Sequence, residues 1–450
     1  MNDMSVKLNT ESCEQAFDSL SGELVGVDQA WLSQRRHDAL NRLGNTGFPT
    51  VKHEDWKYTD IRLLTKHEYV LDASIDLTAM AAKVESSRID ALDALRIVIV
   101  NGRFRRDLST IDSLPEGLIA GGLAEQIASD PASVKAWIGQ ALPENGHGFS
   151  SLNDAFVNDG VYINVSAGIT VSRPVEIVYM ISAGDVAPLA QPRTLVIVAE
   201  GASIEVVERY ISDSEDTYLT NAVSEVFVGS GARIELDRIQ EEGSRAGHVG
   251  GLFVCQRTDS HAVINTISLD GMLIRNDLRA SLDEPGAKVV LNGLALGDGR
   301  QHIDNHTHVD HIAEHCISRE FYKSVLDDRS RAVFHGRIVV HKDAQKTDSE
   351  QQNKSLLLSR NAEVDTKPQL EIYADDVKCS HGATVGQLDE TAVYYLRTRG
   401  IDEQSARGIL TFAFADSAIT DISNEALRAY IDTRIRDKLG AGDLTKGMSF

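Results

Sequence analysis

Ala202-Ser203-Ile204, Ala232-Arg233-Ile234 and Ala262-Val263-Ile264 share one pattern, an alanine followed two positions later by a large apolar residue. The pattern returns at Ala332-Val333-Phe334 and Ala362-Glu363-Val364, so its starts fall at 202, 232, 262, 332 and 362, and three of the four intervals are 30 residues. Looser copies at Ala287-Lys288-Val289 and Ala383-Thr384-Val385 stand out of phase. From about Ser151 onward, short runs of Val, Ile, Leu, Tyr and Phe alternate with polar residues and are cut by Gly, Asn, Asp and Ser, as in a succession of short strands. A fixed strand period with small residues at the corners is what a solenoid requires, because single short strands bury their apolar faces only by stacking. The alternative is a β-sandwich with coincidental spacing. An antiparallel sandwich has no need of a constant period, which favours the solenoid.

On either side of this core the texture is helical. Gln29 to Leu43 carries Trp31, Leu32, Leu40 and Leu43 between charges, with Gly44 as a stop signal. Arg96 to Val100 is a short β-branched run closed by the turn pair Asn101-Gly102, and helical patterns return between Gly122 and Leu142. Pro143, Gly146 and Gly148 mark a boundary. After Gly400, Leu427, Tyr430, Ile431, Ile435 and Leu439 form one apolar stripe, with Asp421 or Ser423 as cap and Gly440 as terminator. Gly408 to Ile419 is apolar nearly all round and is expected to be buried. Such helices could cap the solenoid end or form a docking surface. The expected domains are 1–150 (mainly helical), 151–398 (β-helix core) and 399–450 (helical).

Composition narrows the function classes. The net charge of −22 disfavours nucleic acid and anionic lipid as partners. The tight basic cluster Arg103-Phe104-Arg105-Arg106 reads as a solvated strand edge. No apolar stretch approaches the roughly 20 residues of a membrane helix, and Met1 to Glu14 has no apolar export segment, so the expectation is a soluble, cytoplasmic protein. Four scattered cysteines argue against a disulfide framework and against a four-cysteine metal site built by this chain alone. The nucleotide loops G-x-x-x-x-G-K-[ST] and helix-opening G-x-G-x-x-G are missing, so no nucleotide is expected.

Two constellations could carry chemistry. The first is His302, His306, His308, His311 and His315, followed by Cys316. On a strand, His306 and His308 share one face while Thr307 and Val309 share the other, so only part of the set could converge on one ion. It reads either as a metal centre or as a polar face of the solenoid, without the H-E-x-x-H pattern of a metalloenzyme. The second is Lys378-Cys379-Ser380-His381-Gly382-Ala383-Thr384. Cys379 and His381 project from one strand face, roughly 6–7 Å apart. They offer two iron ligands that a second chain would have to complete, or a cysteine with a base but no orienting third residue. Spacing alone favours a third reading, a packed Cys beside a hydrogen-bonded His.

The surrounding sequence is more specific. Tyr322-Lys323-Ser324-Val325-Leu326-Asp327-Asp328, Phe334-His335-Gly336-Arg337, Ala344-Gln345-Lys346-Thr347-Asp348, and Asn353-Lys354-Ser355-Leu356-Leu357-Leu358-Ser359 resemble the core of the SufB/SufD family of the SUF iron–sulfur cluster assembly machinery. Ala362-Glu363-Val364-Asp365-Thr366-Lys367-Pro368-Gln369-Leu370-Glu371-Ile372 and Asp375 to Gly386 continue the likeness. Glu54-Asp55-Trp56-Lys57-Tyr58-Thr59 and Ser151-Leu152-Asn153-Asp154-Ala155-Phe156 extend it upstream. Cys-Ser-His-Gly-Ala-Thr, with Gly382 where the SufB branch tends to carry glutamate, is similar to the SufD branch.

That resemblance implies a mainly β protein with a right-handed parallel β-helix between N- and C-terminal helical domains. It implies a non-catalytic scaffold that pairs with SufB through the C-terminal β-helix strands and docks the SufC ATPase through the C-terminal helices. One SufB, one SufD and two SufC is the family stoichiometry. His381, with Cys379 beside it, would serve a nascent iron–sulfur cluster held transiently and shared with SufB. The competing expectation is a stand-alone metal-dependent β-helix enzyme using the His302–His315 region, with His306 and His308 as ligands.

Overall fold

The computed structural model describes residues 4–71, 73, 77–144 and 146–440. Parallel strands wind into a solenoid of about eight coils, each coil giving one strand to each of two ten-stranded sheets. One sheet ends on Lys378–Gly386 and the other on Glu363–Ile372. Along one inward column Val206 pairs with Leu236, then Ile264, Leu291, Glu320, Gln351 and His381. The coil length read from these partners runs from 27 to 31 residues.

This variation explains what the alanine pattern captures. Ala202, Ala232, Ser260, Ala287, Cys316 and Thr347 stack at one corner, and each carbonyl accepts a hydrogen bond from the first strand amide of the next coil, at 2.8 to 3.0 Å. Ala287, out of phase by a fixed count, is therefore in phase in space. Ala262 and Ala332 lie just inside their strands, and Ala332 and Ala362 belong to the opposite sheet. The pattern marks a solenoid; its constant 30-residue spacing is not the true coil. The interior is apolar from Leu95 and Val175 through Val226, Val254, Leu291 and Val309, where burial of aliphatic side chains supplies the driving force.

The N-terminal segment lies against the solenoid flank. Trp56, Ile61 and Leu64 pack on Leu219, Val249 and Leu273, while Leb-type alternation is replaced by direct strand pairing at Leu95–Val100, which runs parallel to Val175–Ile181. The helix Ala30–Thr46 passes through Gly44, contrary to the expected stop, and ends at Gly47, whose φ of 65° supplies the left-handed residue that closes a helix. The buried Asp154 carboxylate ties three elements together, meeting Arg35 at 2.8 Å, Arg42 at 2.7 Å and Arg193 at 3.5 Å. Arg193 in turn reaches Glu225 at 2.6 Å. In the basic cluster, Arg105 pairs with Asp107 and Arg106 with Glu125.

The C-terminal helices Glu403–Asp416 and Glu425–Lys438 pack Phe412, Ile419, Leu427, Ile431 and Ile435 on the outer side chains Val207, Ile239, Ile267, Leu294 and Val325. They lie along the solenoid wall and do not close its end, because their apolar stripes match the outer residues of that sheet. The cap of the last helix is Asn424, not Asp421 or Ser423: its Oδ1 accepts from the Leu427 amide at 3.1 Å, and Gly440 ends the helix at a φ of 59°. Lys323 Nζ donates to the Phe414 carbonyl at 2.6 Å, and burial lowers its pKa to about 8.

Candidate functional site

Cys379 and His381 lie on the last strand of the solenoid, which is an edge strand. Among the described residues no further coil stacks on it, so side chains that would point into a core point into an open mouth. Cys379 is half-buried against the apolar interior and His381 is exposed. Burial, assisted by Asp348, raises the Cys379 thiol pKa above its ordinary value, so in the free chain it is a neutral thiol. Both sheets end here with unpaired backbone donors and acceptors. Nearby, Tyr373, Tyr394 and Tyr395 are 62%, 67% and 57% exposed. An open double edge rimmed by aromatic side chains is a surface suited to another chain.

Beneath each residue stands a column that turns polar towards the mouth. Below Cys379 come Ser349, Ser318, Val289 and Ala262. Ser318 Oγ donates to Ser349 Oγ at 2.9 Å, and the buried His311 ring lies 2.8 Å from Ser318 Oγ through Nε2. Below His381 come Gln351, Glu320, Leu291 and Ile264. Glu320 Oε2 accepts from Thr307 Oγ1 at 2.8 Å and from Gln351 Nε2 at 2.9 Å. Burial pushes the Glu320 pKa up to about 7, the two hydrogen bonds opposing it. A hollow of about 200 Å³ opens beside Gln351 and His381. The spacing thus foresaw the shared face of Cys379 and His381 but not this polar inlay. Glu320, Gln351, Ser318 and Ser349 were missed, and the available signal was polar residues at inward positions of period-two strands.

The histidine-rich strand His302–His311 separates its rings. His306 and His308 do share the outer face, yet each turns to its own carboxylate: His306 Nε2 is 3.1 Å from Asp304 Oδ1 and His308 Nε2 is 3.2 Å from Asp310 Oδ2. His302 Nε2 is 2.8 Å from Thr59 Oγ1. His311 points inside, and His315 is in a turn with a φ of 60°. Arg275 and the two histidines hold Asp304 and Asp310 well below the usual carboxylate range, although burial works against this. The partner that the structure brings to His306 is His335 on the next strand, with ring centres 4.6 Å apart, not His308.

Geometry and fold define a class: a helix-flanked parallel β-solenoid whose last coil leaves a thiol, an imidazole and two sheet edges open. The model described as SUF system FeS cluster assembly, SufBD core domain, matches residues 179–414, and that of the SufBD protein N-terminal region matches residues 10–177. The chain belongs to the SufBD family of iron–sulfur cluster assembly proteins. It is 31% identical over 418 residues to the iron-sulfur cluster assembly protein SufD of Escherichia coli, covering 91% of this chain and 94% of that one. It is 29% identical over 411 residues to the SufBD family protein slr0076 of Synechocystis, covering 90% of each. The SufD of Bacillus subtilis is 24% identical over 422 residues, 92% of this chain and 95% of the relative. No helix among the described residues is long and apolar enough to cross a membrane.

Proposed function

We propose that the chain is a non-catalytic scaffold of the cytoplasmic SUF machinery, in which the open mouth receives a SufB solenoid and a nascent iron–sulfur cluster forms across the junction. The observation that carries this reading is the terminal coil, where Cys379 and His381 sit at the unsealed end of two polar columns. One strand offers two ligand atoms, and a cluster needs about four, so the remainder come from the partner. His381 serves as a cluster ligand or proton acceptor, and Cys379 as its neighbour. The wall helices Glu403–Asp416 and Glu425–Lys438, with the exposed Tyr394 and Tyr395, dock the SufC ATPase, which brings the nucleotide chemistry this chain lacks. The cluster is cargo, passed on rather than kept.

The test is co-expression of the untagged partners with this chain as bait. Co-purification of a second β-solenoid paralogue and an ATPase supports the scaffold. In that complex His381→Ala is expected to leave assembly of subunits intact while cluster absorbance on reconstitution drops severalfold. Normal cluster formation by the variant would sink the role given to His381, and failure to capture either partner would sink the scaffold itself.

A further inference from the structure

A second group of ligand atoms lies away from the mouth, where the N-terminal segment meets the outer wall of the solenoid. Asp55 sits on the single turn Glu54–Trp56, and His306 and His335 are register partners on adjacent strands. One ligand atom of each lies within 4.8 Å of the others. Two further observations distinguish this trio from an accidental cluster. His335 is only 8% exposed, and its Nε2 has no hydrogen-bond partner, an arrangement that costs free energy unless something fills it. His306 is backed by the buried Asp304 carboxylate at 3.1 Å, which is itself held by Arg275 at 2.7 Å and by the Thr59 hydroxyl. A carboxylate behind one nitrogen orients an imidazole and leaves the other nitrogen for a metal. The trio opens on a cleft of about 1000 Å³, room for solvent ligands.

We propose that Asp55, His306 and His335 bind one divalent first-row transition-metal ion, with water from the cleft completing its coordination. Two imidazoles and one carboxylate suit an ion of borderline softness, of the zinc or ferrous class, better than calcium or magnesium. Ligand atoms on such an ion stand about 3 Å apart, given bonds of roughly 2.1 Å. The Asp55 side chain, 71% exposed, is free to swing that far. The nearest ammonium, Lys367, is engaged by Glu54 at 2.7 Å, so it is already neutralised. Bound metal would clamp the Glu54–Trp56 turn onto two strands of the solenoid. This site stands apart from Cys379 and His381 and does not depend on the function proposed for them.

The untagged full chain, stripped with a chelator and titrated with Co²⁺, provides the test, read by visible absorption and by thermal unfolding. One Co²⁺ per chain is expected, with an unfolding midpoint that rises on binding. Asp55→Asn, which alters only an exposed carboxylate, and His335→Ala should each weaken binding by roughly 10-fold or more. His381→Ala and Cys379→Ala should leave it unchanged. Wild-type binding by Asp55→Asn and His335→Ala, absence of stoichiometric binding in the native chain, or its loss on His381→Ala would each overturn the assignment.

Discussion

The same inward column reads differently at its two ends. Ile264 and Leu291, with coils above and below, are fully buried among aliphatic neighbours. Two and three coils further on, the positions are Gln351 and His381, and the second has no coil above it. Parallel stacking seals every backbone group except those of the last coil, so burial alone settles the inner residues and exposure releases the outer ones. Glu320 stands where the two regimes meet. It is buried like Leu291 but hydrogen-bonded towards the mouth, which tells us that the polar inlay is built into the core and not merely tolerated at the rim.

Leu291→Ala should break the deep end of the column hardest. A leucine-to-alanine cavity in a close-packed core costs about 2–5 kcal/mol, read as a shift in the urea unfolding midpoint. A loss under about 1 kcal/mol would mean that the deep coils relax as freely as the mouth, erasing the contrast.

Glu320→Gln acts next, and its sign depends on pH. The folded pKa of about 7 lies above the ordinary 4.5, so the native state binds the proton more tightly. Stability contributed by the protonated carboxyl is present below about pH 4.5 and falls as pH rises towards 7. The variant, which keeps an amide acceptor for Thr307 and Gln351, should be more stable than wild type above pH 7 by up to about 3 kcal/mol, from 1.36 kcal/mol per pKa unit. Glu205, also raised to about 7, titrates in the same window, so the difference between variant and wild type is the quantity to follow. A difference that is flat from pH 4.5 to 8 would place Glu320 in solvent contact and detach it from the core.

These magnitudes also indicate what spacing can convey. Period-two alternation put Cys379 and His381 on one face, and small residues at corners marked the solenoid. Register could not be read the same way. Coils of 27 to 31 residues move Ala287 into a corner column that a fixed count excludes, and hide Ser349 and Gln351 as the partners of Cys379 and His381. The Asp55, His306 and His335 trio was out of reach for another reason: it joins a turn near the N-terminus to two coils far along the chain, a contact made by docking and not by local pattern. The histidine run was conspicuous because it is contiguous, yet alternation and corner turns disperse it.

Cys379→Ser should cost less than the two core changes, about 1 kcal/mol or under, because the thiol is only half-buried and lies at the edge of the apolar cluster. Thermal unfolding of the free chain would read this, and a loss of several kcal/mol would make Cys379 a core residue after all.

His381→Ala is the smallest change expected in stability and the most telling about the mouth. An exposed side chain on an edge strand, with no coil above it, contributes within about 0.5 kcal/mol, so the unfolding midpoint of the free chain should barely move. A large destabilisation would mean that the imidazole is packed, and the contrast between the two ends of the column would fail. If the midpoint holds while cluster formation in the partnered complex falls, stability and function separate at this position. That separation is what an open coil permits: the side chain is freed from the fold at the one place where another chain can use it.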